Sequence, residues 1–244
     1  PPTSRGFHDS GYYVMRYEDH VLVFDCGPIG MKGKQLSTHG HSDLLSYVLS
    51  VFGTPFIVDI GSGTYTEDKE LHDYFRSTAG HNTITVDGKD QCGLSRTWTI
   101  KKHPRHWLIE WRTSDQEDTV SGAHDGFYPL TYERKVTLRK LKEPMVRIVD
   151  KVTGPGKHQA IARMHLHPEV VVESFDKGWT QLRSGNVLLD VEVEDCSGSP
   201  FLRIRDGLYS ADYGQIQQTN VVELLIEQEC PIVFSTQLRG RRIA

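Results

Sequence analysis

The chain is 244 residues long, with 28 Lys and Arg against 32 Asp and Glu and a formal net charge of −4. That balance leaves no basic footprint for nucleic acid, and no apolar run reaches the length of a membrane span, so neither partner is expected. The length suffices to bury a substantial core as one large all-β domain or two smaller units.

Strand-like runs cover residues 12–17, 21–26, 45–52 and 56–60. A helical spacing of Leu71, Tyr74 and Phe75 among charged residues predicts one short helix over 67–75. Further strand-like runs follow at 83–86 and 107–112. From about residue 130 the period of two becomes clean. Leu130, Tyr132, Val136 and Leu138 alternate with Thr131, Glu133, Lys135 and Thr137, and 146–152 continues the pattern. Ala160, Ala162, Met164 and Leu166 alternate with polar neighbours, then 170–173, then Val187, Leu189, Val191 and Val193, then 221–227 and 232–236. Turn signals at Asp87-Gly88, Gly154-Pro155-Gly156, Lys177-Gly178, Ser184-Gly185-Asn186 and Ser197-Gly198-Ser199-Pro200 separate the runs. The pattern predicts an all-β fold: a large two-sheet antiparallel β-sandwich over 1–244, with at most one or two short helices. The four cysteines, Cys26, Cys92, Cys196 and Cys230, are widely spaced without a CxxC pair, which fits two disulfides or four buried thiols.

Chemistry concentrates in the first half. Thr38-His39-Gly40-His41-Ser42-Asp43 places two imidazoles at i and i+2, on one side of an extended backbone. Asp59 ends the apolar run Phe56-Ile57-Val58, and His81 follows Ala79-Gly80. Two or three imidazoles with one carboxylate form a donor set that suits zinc with an open position. Asp43, on the same face as His39 and His41, rivals Asp59 as the carboxylate, or orients an imidazole from behind. Gly40 permits close backbone approach between the two histidines. His165 and His167, and His103 and His106 beside Pro104, read as structural. A cupin-type HxH is the competing pattern, with Gly33 upstream, but Leu44-Leu45-Ser46-Tyr47 stands where its glutamate belongs.

Taken in order, several segments resemble the heparinase II/III-like polysaccharide lyase family. They are Asp9-Ser10-Gly11-Tyr12-Tyr13, Gly40-His41-Ser42-Asp43-Leu44-Leu45-Ser46, Phe56 to Tyr65, Tyr74 to Gln91, and His124-Asp125-Gly126-Phe127. The motif-bearing part runs over 7–132, and the regular strands over 130–238 continue it. The resemblance implies an N-terminal (α/α) toroid, absent from these residues, paired with a C-terminal domain of stacked antiparallel sheets. It implies zinc on His41, Asp59 and His81, bracing the loops rather than reacting, and His39 turned toward substrate for proton transfer or carboxylate neutralisation. The opening Pro1-Pro2-Thr3-Ser4-Arg5, without an initiator Met or a signal segment, fits a piece of a longer polypeptide.

The reaction implied is β-elimination of a uronic-acid-containing polysaccharide. The C5 proton is removed, the 4-linked sugar is expelled, and the substrate carboxylate must be neutralised. Tyr74 and Tyr65 are candidate supporting hydroxyls, with packing as the other reading. Arg76 is placed to grip a substrate carboxylate or to form a structural ion pair. The expectation is the β half of a lyase with an acidic polysaccharide as partner, a periplasmic or secreted location and little activity without the helical domain. The alternative is a stand-alone β-sandwich that binds glycan or scaffolds a partner around a structural metal.

Overall fold

The computed structural model describes residues 3–30, 39–64, 68–95, 99–100 and 102–243. Strands β1 (Arg5–Phe7), β2 (Tyr12–Tyr17), β3 (His20–Asp25), β4 (Tyr47–Val51) and β5 (Thr54–Ile57) form a five-stranded antiparallel sheet in sequence order. Helix α1 (Lys69–Arg76), a 3-10 turn (Thr78–Gly80), β6 (Ile84–Val86) and the small pair β7 (Leu94–Ser95) and β8 (Thr99–Ile100) follow. Then come β9 (His106–Thr113), β10 (Glu117–His124), β11 (Thr131–Arg139), β12 (Met145–Thr153), β13 (Lys157–His165) and β14 (Val171–Asp176). The chain closes with β15 (Trp179–Ser184), β16 (Val187–Val193), β17 (Phe201–Tyr209), β18 (Gln217–Glu229) and β19 (Ile232–Arg242).

Eight of these make one sheet, ordered β14-β15-β16-β19-β12-β11-β10-β9, and four make another, ordered β17-β18-β13-β6. The four- and five-stranded sheets are stitched together. Ile57 bridges Leu166, Val58 N donates to His165 O at 3.0 Å, and His167 N donates to Phe56 O at 3.0 Å. The result is a two-layer all-β sandwich around one apolar cluster, to which Phe24, Leu49 and Leu224 contribute from one layer and Val136, Ile148 and Leu238 from the other.

The expected alternation is seen most clearly in β3, buried at every second residue from His20, and in β11. Strand β10 was hidden from that reading. Its buried positions include Asp118, Thr119, Ser121 and His124, so a central strand carries little apolar signal. Edge strand β17, Phe-Leu-Arg-Ile-Arg-Asp-Gly-Leu-Tyr, is equally poor in alternation. Helix α1 starts at Asp68, whose carboxylate accepts from Leu71 N at 3.0 Å as an N-cap. The four cysteines are free thiols, Cys26 and Cys92 buried.

One inward position of β11 is charged. Arg134 is 1% exposed, opposite Asp150 on β12, and donates to it from Nε at 2.6 Å and from Nη2 at 3.1 Å. Tyr132 donates its hydroxyl to the same carboxylate at 2.6 Å. Arg134 Nη1 crosses to the other layer, donating to Leu45 O at 2.8 Å and to Asn82 O. Removing one partner of a buried pair strands the other charge. Arg134→Met is therefore expected to destabilise the domain by about 3–5 kcal/mol in urea unfolding. Adding Asp150→Leu is expected to recover only part of the loss, because the Leu45 and Asn82 carbonyls still lack a donor. Near-normal stability of Arg134→Met alone would contradict this account.

Candidate metal centre

The centre is built where two loops are pressed together. The first, 39–46, precedes β4. His39 is exposed and adopts φ 70°, while Gly40 is buried so tightly that a Cβ there would lie 2.9 Å from Ile100 Cδ1 and 3.1 Å from Ile29 Cγ2. Arg76 at the end of α1 donates from Nε to Gly40 O at 3.3 Å, and Arg76 O accepts from Ser42 N at 2.9 Å. Ser42 Oγ receives hydrogen bonds from Thr78 Oγ1 at 2.7 Å and Cys92 N at 3.2 Å. Leu45, fully buried, is held at φ 60°, a conformation an L-residue adopts only when its surroundings impose it.

The second loop carries His81, the residue after the 3-10 turn. Its neighbour Asn82 fixes three elements at once. Asn82 Nδ2 donates to Tyr47 O and Val58 O, both at 2.8 Å, and its Oδ1 accepts from His165 N at 2.6 Å. Gln91 Nε2 donates to Leu44 O and Thr83 Oγ1, both at 3.0 Å, and closes the loops onto each other.

These contacts bring His41, Asp43 and His81 together, with one donor atom of each within 4.8 Å of the others. The His41 and His81 ring centres are 5.1 Å apart. Asp59 adjoins through His81: its Oδ2 lies 2.8 Å from His81 Nδ1, and its Oδ1 accepts from Gly61 N at 2.9 Å. His81 is fully buried, and its Nε2 has no hydrogen-bond partner. Asp43 and Asp59 also line an open cleft of about 290 Å³ with Tyr12 and Asp25.

The cluster is short of positive charge. Burial, with Asp43 next to it, pushes the Asp25 carboxyl up to about 7. Burial likewise lifts Asp43 to about 6. Burial would raise Asp59 too, but His81 beside it outweighs this and holds it at about 2. For His81 burial disfavours the cation, yet the carboxylates of Asp59, Asp43 and Asp25 raise its pKa. Burial depresses His41 to about 3, so its imidazole is a neutral donor. Two imidazoles, one with an orphaned buried nitrogen, beside carboxylates that retain protons fit a divalent cation such as zinc.

The heparinase II/III-like, C-terminal family profile matches residues 1–238. The chain belongs to the heparinase II/III-like family. This C-terminal domain superposes on the heparan sulfate lyase HepC from Pedobacter heparinus with a TM-score of 0.80 and 18% identity, covering 99% of this chain and 37% of that one. A heparinase III gene product gives 0.81 and 19%, covering 98% and 36%, and a further heparinase III structure gives 0.81 and 17%, covering 100% and 38%. The chain thus spans little more than a third of these structures. At such identities the likeness establishes the fold. No curated protein sequence matches the chain significantly.

Of the residues singled out in the sequence, the structure brings His41, Asp43 and His81 to one place, whereas Asp59 stands outside that group and reaches it through His81 Nδ1. His39 is exposed, two residues before His41 in the chain. Arg76 is buried under the loop and reaches Gly40 O. Tyr74 is half-buried; burial raises its pKa, and its nearby partners are Leu208, Arg163 and Glu223 rather than the cleft. Tyr65 lies outside the described residues. Sequence reasoning missed Asp25 and Tyr12, which face the cleft from the ends of β3 and β2. Their signal was the Ser10-Gly11-Tyr12 motif and a carboxylate closing an apolar strand. It also missed Asn82, a polar residue entirely buried beside a ligand candidate.

Burial holds His20 at about 4 and His124 and His165 at about 3, as it does His41. In the unfolded chain these imidazoles take protons below about 6.5. The unfolded state therefore holds more protons in the window between, and stability falls as pH drops from about 6.5 toward 4. Asp25 and Asp43, with raised values, act in the opposite sense but are outnumbered. The urea midpoint is expected to be lower at pH 5 than at pH 7.5; an equal or higher midpoint at pH 5 would show that these histidines are not held neutral.

Proposed function

We propose that this domain is the β part of a polysaccharide lyase that cleaves uronic-acid-containing glycans by β-elimination. One observation carries the reading: in a heparinase II/III-like domain, the motif histidines His41 and His81 meet Asp43, a carboxylate that also lines an open cleft. The glycosaminoglycan-directed names of the structural neighbours support it, and their greater length supports a further domain that completes the cleft.

In this reading His41, Asp59 and His81 hold zinc. Asp59 enters this set through the family resemblance and contacts His81 Nδ1, while Asp43, which lies within 4.8 Å of both imidazoles, is the rival carboxylate. Bound zinc would supply fixed positive charge that braces the two loops. Arg76 supports the same loop through Gly40 O and has a bracing role. His39 is exposed and stands outside the group of His41, Asp43 and His81. It presents an imidazole to neutralise the substrate carboxylate or to take the proton from C5. Expulsion of the 4-linked sugar then leaves an unsaturated uronate.

Two measurements separate the parts of this proposal. Zinc content of the purified domain is expected to be near stoichiometric and to be lost in His81→Ala and Asp59→Asn, with Asp43→Asn retaining more. Equal loss in both Asp variants would reassign the carboxylate, and no zinc in the wild type would remove the site. In the full-length protein, absorbance of unsaturated uronate released from heparan sulfate is expected to fall at least about 100-fold in His39→Ala. Cleavage at the wild-type rate would refute the role of His39. A domain that keeps zinc in a full-length protein that cleaves no acidic glycan would favour the binding or scaffolding reading instead.

A further inference from the structure

A second cavity, of about 510 Å³, opens between the turn after β6 and the loop after β10, and Lys89, Lys102, Gly126 and Tyr128 are among its walls. It shares no lining residue with the carboxylate cleft. One wall is a tight turn. Lys89 N donates to Val86 O at 3.0 Å across Asp87 at φ 52° and Gly88 at φ 66°, the two left-handed residues of a type I′ turn. That turn is pinned from outside, because the Asp87 carboxylate lies 2.8 Å from His158 Nδ1 and accepts from Gln159 N at 3.1 Å. The other wall is backed onto Gln91 so closely that a Cβ at Gly126 would stand 2.7 Å from Gln91 O. Gly126 N donates to His124 Nδ1 at 3.0 Å, and Lys102 Nζ donates to Gly126 O at 2.9 Å. The cavity is therefore held open by its own backbone.

Asp90 also lines the hollow, and its Oδ1 accepts from Thr78 N at 2.7 Å, while Asp125 is held by Arg105 N at 2.8 Å and Nε at 2.7 Å. Lys89 and Lys102 act on Asp87 and Asp125 only through space, each helping to lower that carboxyl's pKa. Neither Lys89 nor Lys102 forms an ion pair among the described residues, and Lys102 gives its one hydrogen bond to a neutral carbonyl. Beside them Tyr128 is 76% exposed, more than any other large apolar or aromatic side chain described. Two ammonium groups outside any direct ion pair, against the single lining carboxylate of Asp90, and an uncovered aromatic face in a preformed hollow suit a small rigid anion with an apolar face. Ammonium groups act as point charges and take sulfate or carboxylate alike.

We infer that the Lys89–Lys102–Tyr128 cavity is an accessory subsite for one acidic sugar unit of a polysaccharide, its sulfate or carboxylate between the lysines and its ring against Tyr128. The inference rests on the polysaccharide reading and adds to it a contact point outside the metal centre. Calorimetric titration of the 244-residue chain with a heparin tetrasaccharide, and in a second arm with an unsulfated hyaluronan tetrasaccharide, tests it. Affinity for the better of the two is expected to fall about tenfold or more in Lys89→Ala/Lys102→Ala and to weaken with salt. Tyr128→Ala is expected to weaken it as well and Tyr128→Phe to retain it, with melting temperatures unchanged because these side chains are exposed. Stronger binding of the heparin fragment identifies sulfate as the recognised group, and equal binding identifies the carboxylate. Wild-type affinity in the double lysine variant, or no binding by the unaltered chain, overturns the subsite. Either result leaves the lyase reading to its own test, since release of unsaturated uronate depends on His39 and not on these lysines.

Discussion

The two loops that carry the histidines are held from beneath by one guanidinium. Arg134 projects from the inner face of the eight-stranded sheet, forks onto Asp150, and with its remaining nitrogen takes the carbonyls of Leu45 and Asn82 from the opposite layer. Those carbonyls belong to the residue two beyond Asp43 and the residue just after His81. A lysine could not do this, since the task needs a planar fork for the carboxylate and a separate donor directed elsewhere. The rings of Tyr47 and Tyr132, with centres 5.2 and 5.8 Å from the guanidinium carbon, complete its surroundings. Burying that charge is tolerable only because every partner is in place. The same pull accounts for the left-handed backbone of Leu45: its carbonyl turns inward to meet Arg134 instead of continuing a strand.

Most of the fold was legible because a half-buried strand repeats every two residues, and the apolar alternation of β11, β13 and β16 gave the sandwich. The most important residue was visible only as a defect in that pattern. Between Tyr132 and Val136 the inward position is Arg134, and an arginine there reads as noise until its partners across the core are known. Strand β10 failed for a related reason, since its buried Asp118, Thr119 and Ser121 meet partners at Ser4, Thr137 and Glu133, distant in sequence. Periodicity reports the environment of a residue and carries no trace of a polar partner in another strand.

The candidate metal centre divides along the same line. His41 and His81 stand out by residue type and by the small residues beside them, and the fold brings them to one point. The choice between Asp43 and Asp59 could not come from spacing, because both adjoin His81 in space while one is 38 positions before it and the other 22. Likewise nothing in Tyr74 or Arg76 tells which side of an eight-residue helix faces the loop. The structure turns Arg76 under Gly40 and Tyr74 toward Arg163 and Glu223.

An electrostatic difficulty joins the two sites. A cleft walled by Asp25, Asp43 and Asp59 repels an acidic polymer, and in a low-dielectric setting such repulsion is strong. Protons relieve it only in part: Asp59 remains ionised at neutral pH while its neighbours hold theirs to about 6 and 7. A divalent cation on the imidazoles would remove the excess where it arises, which would give a bound metal an electrostatic purpose besides the proposed bracing of the loops. In the subsite inferred above, the lysines of the second cavity would answer the same problem at a distance, offering positive charge to a polymer that the cleft by itself would turn away. On a domain with a net charge of −4, capture of an acidic glycan would therefore depend on where cations outside ion pairs stand, and the fold sets Lys89 and Lys102 in one hollow beside an exposed tyrosine.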